Sequence, residues 1–447
     1  MSDTRAEKYA VQLSRLISHE TISAKGATDL SKFFAFHEVL REQFPSLFSV
    51  CEVEKHNGSI LLRWRGKDGS LLPILLMNHH DVVEATGDWT YPPFSGTIAD
   101  GKVWGRGTLD TKGGLWAMLC AADELAADGY APDCDVYFLS TCCEETTGKD
   151  ADEISRSFAE RGIRFSMVLD EGGMILDEPM SGVRAKYAMI GVGEKGCADL
   201  KFTARSHGGH ASTPPKNSPL VRLGKFMAAV EKSNIFKVKM SAAVRATLKS
   251  LSCSMKGGIK PVLAHPRLFS PILCKVMPSI SPTSAAMLKT TLAFTMAHGS
   301  EGYNVLPREA YVTGNMRYSH HQGGKNSIDA VKRLAAKYDI EVEVVDGGFD
   351  STLSDHNGAA FKLIQNAVNE IFDGVKSAPY VMNAATDSRY MSRVCDQCLR
   401  FAPFAISNSQ LASVHAVDEN IDVSALAPAV DFYRYVIKGA GVALKNQ

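Results

Sequence analysis

The chain has 447 residues, a formal net charge of +0, 45% hydrophobic residues and 22% charged residues. This length exceeds one typical domain, so we expect two domains with an ordinary globular composition. The balanced charge, without a long basic or acidic run, argues against nucleic acid or an anionic membrane as the main partner. The N-terminus has no apolar signal core and no stretch is long enough to span a membrane, so we expect a cytoplasmic protein.

Short apolar runs in the first part of the chain predict buried strands, each followed by polar residues. These predicted strands are 59–64, 74–79, 136–140 and 165–169. The second strand ends in His79 and Asp81, the third leads to Glu144 and Glu145, and the fourth leads to Asp170. In open α/β sheets the carboxyl ends of parallel strands collect ligands and catalytic groups, so we expect these side chains at one edge.

Asp110 follows a long loop rich in glycine, proline and aromatic residues and precedes a helix predicted over 115–127. An isolated aspartate in this position is most simply a helix N-cap. The neighbouring glycines allow close approach of the backbone, which fits a carboxylate held in a crowded site. Both interpretations stay open on this stretch alone.

A histidine at a strand end is more often an ordinary polar terminus than a metal ligand. His79, however, is followed by Asp81, and a carboxylate at that distance suits a zinc ligand with an orienting partner. Glu144 and Glu145 can divide the work of a metal site, because one can bind the ion while the other carries a proton. Three strand ends with such residues are hard to ascribe to chance.

Ten cysteines occur in the chain. Without an export signal, reduced thiols that lie mostly in the core are the better interpretation. Cys395 and Cys398 form one CxxC pair, and no second pair completes a structural zinc site. A redox or metal role for this pair is the minor alternative.

Several motifs carry a resemblance to a known family. They occur in the order HHDVV, GRGTLDTKGG, CCEETTG, LDEGG, GGHASTPP, NVLPREAYVTGNMR, NAATDSRY and SVHAVDENI, along essentially the whole chain. This set resembles the zinc-dependent exopeptidase and amidohydrolase family of aminoacylase, carboxypeptidase S and succinyl-diaminopimelate desuccinylase, and is most similar to carboxypeptidase S-like members. The resemblance implies an α/β fold in which a mixed sheet flanked by helices forms the catalytic domain.

The resemblance also implies that a smaller α+β domain is inserted as a lid or dimerisation domain. The implied catalytic domain comprises residues 1–192 and 349–447, and the inserted domain comprises residues 193–348. An extra segment at about 236–286, rich in Lys, Ser, Met and Pro, resembles the longer insertions of carboxypeptidase S-like members. It could shape a substrate entrance or a lid, or be a neutral surface elaboration.

Carried over by motif position, the resemblance implies two zinc ions, for which Co2+ or Mn2+ can substitute. The implied ligands are His79, Asp110, Glu145, Asp170 and His415. Asp110 would bridge the two ions. Family members differ between aspartate and glutamate at the position of Asp170, so Glu171 stays open as the alternative ligand, although we expect Asp170.

The remaining implied roles concern catalysis and substrate binding. Asp81 would orient a ligand histidine, and Glu144 would be the general base beside a metal-bridging water. His210 would stabilise the oxyanion, frequently from a partner subunit. Asn304 and Arg317 would bind the free carboxylate of the substrate, whereas a structural salt bridge is the simpler interpretation of Arg317.

The expected function is hydrolysis of an amide or peptide bond next to a free α-carboxylate, as in a carboxypeptidase or dipeptidase. An aminoacylase-like hydrolase of N-acyl amino acids is the alternative, so the expected partner is a small peptide or an N-acyl amino acid. A homodimer through the inserted domain is the expected assembly. A non-catalytic binding protein on the same fold would predict a damaged ligand set, and the set here is complete.

Overall fold

The computed structural model of the protein describes residues 4–348 and 352–445. Its helices are α1 (Thr4–Ile17), α2 (Ser31–Gln43), α3 (Pro45–Val50), α4 (Lys112–Ala127), α5 (Lys149–Glu160), α6 (Pro219–Lys232), α7 (Ala242–Ser252), α8 (Lys260–Ala264), α9 (Ser270–Val276), α10 (Pro282–Leu288), α11 (Gly323–Ala336), α12 (Ala359–Ile371), α13 (Ser388–Met391), α14 (Asn408–Ser413) and α15 (Leu426–Ala443). Short 3-10 turns span Met277–Ser279 and Val423–Ala425.

The strands are β1 (Cys51–His56), β2 (Ser59–Trp64), β3 (Ile74–His79), β4 (Ile98–Ala99), β5 (Lys102–Trp104), β6 (Val136–Thr141), β7 (Met167–Asp170), β8 (Ile175–Leu176), β9 (Tyr187–Glu194), β10 (Gly196–Arg205), β11 (Gly209–His210), β12 (Thr291–His298), β13 (Val305–Leu306), β14 (Glu309–Tyr318), β15 (Glu341–Asp346), β16 (Lys376–Met382), β17 (Cys398–Arg400), β18 (Ala405–Ile406) and β19 (Asn420–Asp422). Most predicted strands and helices are therefore confirmed to within a few residues.

A ten-stranded mixed sheet forms the larger part of the fold, in the order β1-β2-β6-β3-β7-β17-β9-β8-β18 with β16 paired to β9. At its centre β3 runs parallel to both β6 and β7. These three strands therefore end at the same edge, as the sequence predicts.

Helices cover both faces of this sheet. On β3, Ile74 and Leu76 belong to a core that includes residues of α1, α4, α12 and α15. The alternating residues Leu75 and Met77 belong to a second core, which includes residues of α5. Burial on both sides explains why this strand reads as a continuous apolar run. The predicted mixed α/β sheet flanked by helices is confirmed.

A second sheet, in the antiparallel order β12-β14-β10-β15, lies within residues 196–346. Its core includes apolar side chains of α6 and α11. These residues fall inside the predicted inserted domain of 193–348. Residue 349, where the second part of the catalytic domain is predicted to begin, lies outside the described residues, and the exact boundaries stay predictions.

The segment 236–286 forms a helical layer that includes α7 to α9 and most of α10. Its core includes residues of β9 and β16, at the far side of the large sheet. The Tyr187 hydroxyl donates to the Ser250 carbonyl at 2.9 Å, and the Thr247 hydroxyl donates to the Pro379 carbonyl at 2.6 Å. The segment is thus attached to the catalytic sheet.

All ten cysteines are free. Cys395 and Cys398 are buried in the core that includes α5, where they fill space between apolar side chains. Within residues 4–348 and 352–445, no helix combines the length and apolar character needed to cross a bilayer. The cytoplasmic location stays a prediction.

Candidate active site

The end of the central strands brings the predicted ligands together. His79 is the last residue of β3, the loop after β6 carries Glu145, and Glu171 follows β7 directly. Asp110 precedes α4, and His415 follows α14 in a left-handed backbone conformation with φ 61°. Residues that are far apart in sequence thus meet because three parallel strands end at one edge.

Asp110 lies at the centre of this cluster. Its Oδ1 is 3.1 Å from His79 Nε2, and its Oδ2 is 3.0 Å from His415 Nε2. His415 Nε2 is also 3.2 Å from the carboxylate of Glu145. Two groups of potential ligand atoms result, each within 4.8 Å: one of His79, Asp110 and Glu171, the other of Asp110, Glu145 and His415. The two groups share Asp110.

The structure revises the expectation for Asp170. Its Oδ1 accepts the Glu171 N–H at 2.9 Å, and its Oδ2 accepts the Ser388 N–H at 2.8 Å. Both carboxylate oxygens are therefore engaged by backbone donors. The Glu171 carboxylate, in contrast, lies with His79 and Asp110. The structure thus favours Glu171, the alternative that the sequence left open, as the third member of this group.

Asp81 is buried and links two parts of the cluster. His79 Nδ1 is 2.9 Å from the Asp81 carbonyl oxygen and 3.4 Å from its carboxylate. The same carboxylate accepts the N–H of Glu144 at 3.2 Å, the N–H of Glu145 at 3.1 Å and the Ser23 hydroxyl at 2.6 Å. Asp81 therefore fixes both the ring of His79 and the loop that carries the two glutamates.

Glu144 belongs to neither group of ligand atoms. Burial raises the pKa of its carboxyl well above the ordinary value, and the nearby carboxyls of Asp387 and Glu145 raise it further, against the charge of His79. Burial also raises the pKa of Asp387 to about 7, and its Oδ2 accepts the Thr141 hydroxyl at 2.7 Å. A carboxyl with a raised pKa beside a ligand cluster is suited to proton transfer near neutral pH.

The buried carboxylates of the cluster repel one another, and bound cations would neutralise their charge. Burial raises the pKa of Glu171 well above its usual range, helped by the charges of Asp110 and other carboxylates. Burial disfavours the imidazolium of His79, but the hydrogen bonds with Asp110 and Asp81 outweigh it and raise the pKa of His79. Hydrogen bonds with Asp110 and Glu145 raise the pKa of His415 to about 10. Imidazole nitrogens and carboxylate oxygens are donors that Zn2+, Co2+ and Mn2+ accept, so the residues fit divalent cations.

Glu419 supports the loop of Asp110, a role that the sequence did not indicate. Its carboxylate accepts the N–H of Gly107 at 3.0 Å, of Leu109 at 2.8 Å and of Asp110 at 3.1 Å. It also forms a fully buried ion pair with Arg106 at 2.7 Å. Its position four residues after His415 was the available signal, but hydrogen bonds to backbone leave no mark in a sequence.

Of the residues predicted to contact substrate, His210 and Arg317 lie on the smaller sheets and Asn304 directly precedes β13. His210 and Asn304 come together because β11 pairs with β13, and the Ala211 N–H donates to the Asn304 carbonyl at 2.9 Å. His210 is exposed, and its Nδ1 is 2.7 Å from the Ser212 hydroxyl. Arg317 lies on β14. In the described part of the chain, none of His210, Asn304 and Arg317 forms a hydrogen bond or ion pair with the ligand cluster.

This fold and this cluster of histidines and carboxylates define a metal-dependent hydrolase. The sequence profile of peptidase family M20/M25/M40 matches residues 75–439. The chain therefore belongs to this family of metallopeptidases, and it is a hydrolytic enzyme. The resemblance found in the motifs is confirmed.

Named relatives are similar to this chain in sequence, and solved structures are similar to it in fold. The chain is 31% identical over 442 residues to "Probable carboxypeptidase S-like 2" of Dictyostelium discoideum, covering 96% of this chain and 85% of that protein. It is 31% identical over 418 residues to human "N-fatty-acyl-amino acid synthase/hydrolase PM20D1", covering 92% and 80%. The fold is similar to the metallo-carboxypeptidase Sso-CP2 of Sulfolobus solfataricus, with a TM-score of 0.72, 16% identity and coverage of 96% and 98%. It is also similar to the dipeptidase Dug1p of Saccharomyces cerevisiae, with a TM-score of 0.67, 15% identity and coverage of 100% and 97%.

Proposed function

We propose that the protein hydrolyses an amide bond next to a free carboxylate, with two divalent cations, Zn2+ in the first place, held on either side of Asp110. The observation that carries this proposal is that the two oxygens of Asp110 lie about equally close to two histidines, 3.1 Å from His79 and 3.0 Å from His415. Glu171 completes the first ligand group and Glu145 the second. Three protein ligands for each ion leave positions open for water and substrate.

Bound in this place, the cations would polarise the scissile carbonyl and lower the pKa of a shared water. We assign Glu144 as the general base, because it lies beside the ligands without belonging to either group. Its carboxylate would take a proton from the water and deliver it to the leaving amine. Asp81 would hold the ring of His79 and the main chain of Glu144 in place, since it is hydrogen bonded to both.

Arg317 is proposed to bind the free carboxylate of the substrate, together with Asn304. The simpler interpretation of Arg317 was a structural salt bridge. Among the described residues no carboxylate lies within 4.0 Å of its guanidinium, and its Nε donates to the Asn315 side chain at 3.0 Å. The rest of the guanidinium is thus available for a carboxylate, with which it pairs well through two parallel hydrogen bonds.

His210 is proposed to stabilise the oxyanion in the active site of a partner subunit. In its own chain it is exposed and hydrogen bonded to Ser212, and among the described residues it forms no hydrogen bond or ion pair with the ligand cluster. A homodimer through the inserted domain would bring it to the neighbouring site. Mixing His210→Ala subunits with Glu144→Gln subunits should then restore partial activity, whereas no restoration would show that His210 acts within its own chain.

Two substrate classes satisfy this geometry. Carboxypeptidase or dipeptidase activity is supported by the names of the relatives from Dictyostelium, Sulfolobus and yeast. Hydrolysis of N-acyl amino acids is the second candidate, and the human relative named as an N-fatty-acyl-amino acid synthase/hydrolase favours it. Both substrate classes carry a free α-carboxylate next to an amide, so one panel of dipeptides and N-acyl amino acids ranks them.

The decisive experiment combines this panel with metal analysis. Chelated enzyme should be inactive, and Zn2+ should restore turnover. Glu144→Gln should abolish turnover with nearly unchanged zinc content, while His415→Ala should lose zinc. Glu160→Gln, the same exchange at the exposed end of α5 and outside every group of possible metal ligands, is the matched control and should behave as wild type. Turnover of Glu144→Gln equal to wild type would refute the assigned base.

A further inference from the structure

The helical insertion, defined as residues 236–286, has a charge that the rest of the chain does not show. It contains no aspartate or glutamate, and this acid-free stretch extends from Lys232 to Ser300. Its cationic residues are Lys237, Lys239, Arg245, Lys249, Lys256, Lys260, Arg267 and Lys275. Across the described ranges, none of them lies within 4.0 Å of a carboxylate. The net charge of zero for the whole chain therefore conceals a strongly cationic segment.

An apolar stripe runs along the same insertion. Leu268, Ile272, Val276 and Ile280 follow each other at intervals of four residues and are 74%, 58%, 49% and 65% exposed. Helix α9 continues directly into the 3-10 turn Met277–Ser279. Ile272 and Val276 are four residues apart within α9 and lie on the same side of that helix. Leu268 precedes the helix and Ile280 directly follows the 3-10 turn, so the stripe continues the exposed side of α9 at both ends.

The stripe is not needed to hold the insertion in place. The buried side of this region contributes Leu273 of α9 and Met277 of the 3-10 turn, both 6% exposed, to the core against the large sheet. Contiguous exposed apolar side chains on a folded protein generally mark an interaction site. The insertion therefore has an inner side that packs against the large sheet and an outer side whose apolar side chains are exposed.

We propose that this outer face docks on the surface of an anionic lipid bilayer. The aliphatic side chains of Leu268, Ile272, Val276 and Ile280 would enter the boundary between head groups and acyl chains. The exposed cationic side chains would meet the anionic head groups: Arg267 and Lys275, which neighbour the stripe in sequence, and Lys256 and Lys260, which lie just before α8 and at its first residue. This proposal departs from the expectation, based on the balanced net charge and the absence of a long basic or acidic run, that a membrane is not a partner.

Charge and side-chain type distinguish a bilayer from other occupants. A second copy of this chain in a two-fold interface would place the same cationic segment against itself, and residues 236–286 contain no acidic residue to compensate. Nucleic acid would use the lysines and arginines but would leave a long aliphatic stripe in water. An anionic bilayer uses both features at once.

Vesicle flotation tests the proposal directly. Wild-type protein should float with vesicles of phosphatidylcholine and phosphatidylserine, much less with phosphatidylcholine alone, and raised salt should release it. Ile272→Trp should report insertion through a blue-shifted emission on the mixed vesicles. Failure of the wild type to bind the mixed vesicles, or equal binding to neutral vesicles, would overturn the proposal.

Two sets of variants separate the two features. Leu268→Ser, Ile272→Ser and Ile280→Ser combined, and Lys256→Gln, Lys260→Gln and Lys275→Gln combined, should each weaken binding about tenfold or more. A control pair, Val11→Ser with Val442→Ser, removes apolar side chains that are 62% and 77% exposed on other helices and should bind as wild type.

All variants should keep wild-type hydrolysis of a water-soluble dipeptide or N-acetyl amino acid, because none of the exchanged residues lies in the catalytic site. A failure of the membrane proposal is therefore distinguishable from a failure of the proposed reaction. Equal vesicle binding by the variants and the wild type would overturn the assignment to this face. Self-association of the wild type that the serine variant abolishes would reassign the face to a second copy, and RNA binding that the glutamine variant abolishes would reassign it to nucleic acid.

Discussion

Exchanging Asp170 and Glu171 separately tests the ligand assignment, because the structure gives these neighbours opposite tasks. Asp170→Asn leaves one side-chain oxygen for two backbone donors, the N–H groups of Glu171 and Ser388 at 2.9 and 2.8 Å. One buried N–H then loses its acceptor, which costs about 1–3 kcal/mol of unfolding free energy. The variant should still bind two zinc ions per chain.

Glu171→Gln should give the reverse result. The exchange removes a proposed ligand carboxylate, so zinc affinity should fall by more than the roughly 10–100-fold that is typical for groups behind the ligands. The metal-free variant should not be destabilised, because burial raises the pKa of Glu171 and its charge is unfavourable without a cation. Zinc content after dialysis against buffered zinc, and urea unfolding of the metal-free proteins, measure both effects. Zinc loss in Asp170→Asn combined with full zinc content in Glu171→Gln would refute the reasoning.

Three further predictions follow from the same site. Glu419→Gln leaves the buried Arg106 without its counter-charge, so urea unfolding should show a loss of about 3–5 kcal/mol; a loss below about 1 kcal/mol would contradict the assigned role. Arg317→Met should raise KM about 10–100-fold for substrates with a free carboxylate but not for their amides, and an equal effect on both would reject carboxylate binding. With a pKa of about 10, the imidazole of His415 is protonated at pH 7 in the metal-free protein. Because a metal ion binds the neutral ring, metal binding should release this proton, and calorimetry in buffers of different ionisation enthalpy measures the release. His415→Ala should release about one proton fewer, and unchanged release would refute that pKa.

The strand framework of the site could be predicted because its signal is local. A strand buried on both faces is mostly apolar, and β3 shows this from Ile74 to Met77 before it ends in Asn78 and His79. Polar residues that follow such a strand can only lie at its end. Since β3, β6 and β7 are parallel, the ends that carry His79, Glu145 and Glu171 coincide.

The choice between Asp170 and Glu171 could not be predicted from the sequence. Successive residues of a strand point to opposite faces, and either carboxylate could serve as a ligand. What decides is the backbone that approaches from elsewhere, here the N–H of Ser388 at the start of α13. Such a contact depends on the assembled tertiary structure.

The sequence indicates the insertion at about 236–286, but its helices could not be predicted, for a related reason. Its helices are short, and several begin with a proline or with a serine cap, such as Ser241 for α7 and Ser281 for α10. Frequent prolines and serines favour an interpretation as loops, and helices of this length are too short to show an apolar periodicity. The spacing of four residues from Leu268 to Ile280 is visible in the sequence, but the exposure of these side chains depends on the assembled structure.

The position of the candidate metal centre is determined largely by buried carboxylates that we do not assign as ligands. Glu419 holds the backbone of the Asp110 loop from one side, and Asp81 holds the loop of Glu144 and Glu145 from the other. Asp170 fixes the start of Glu171 in the same way. Each of these anions is satisfied by backbone N–H groups, whereas Glu171 and Glu145 direct their charge at the space around Asp110. The hydrogen bonds of Glu419, Asp81 and Asp170 thus stabilise the folded chain, whereas the charges of Glu171 and Glu145 remain to be neutralised by bound cations.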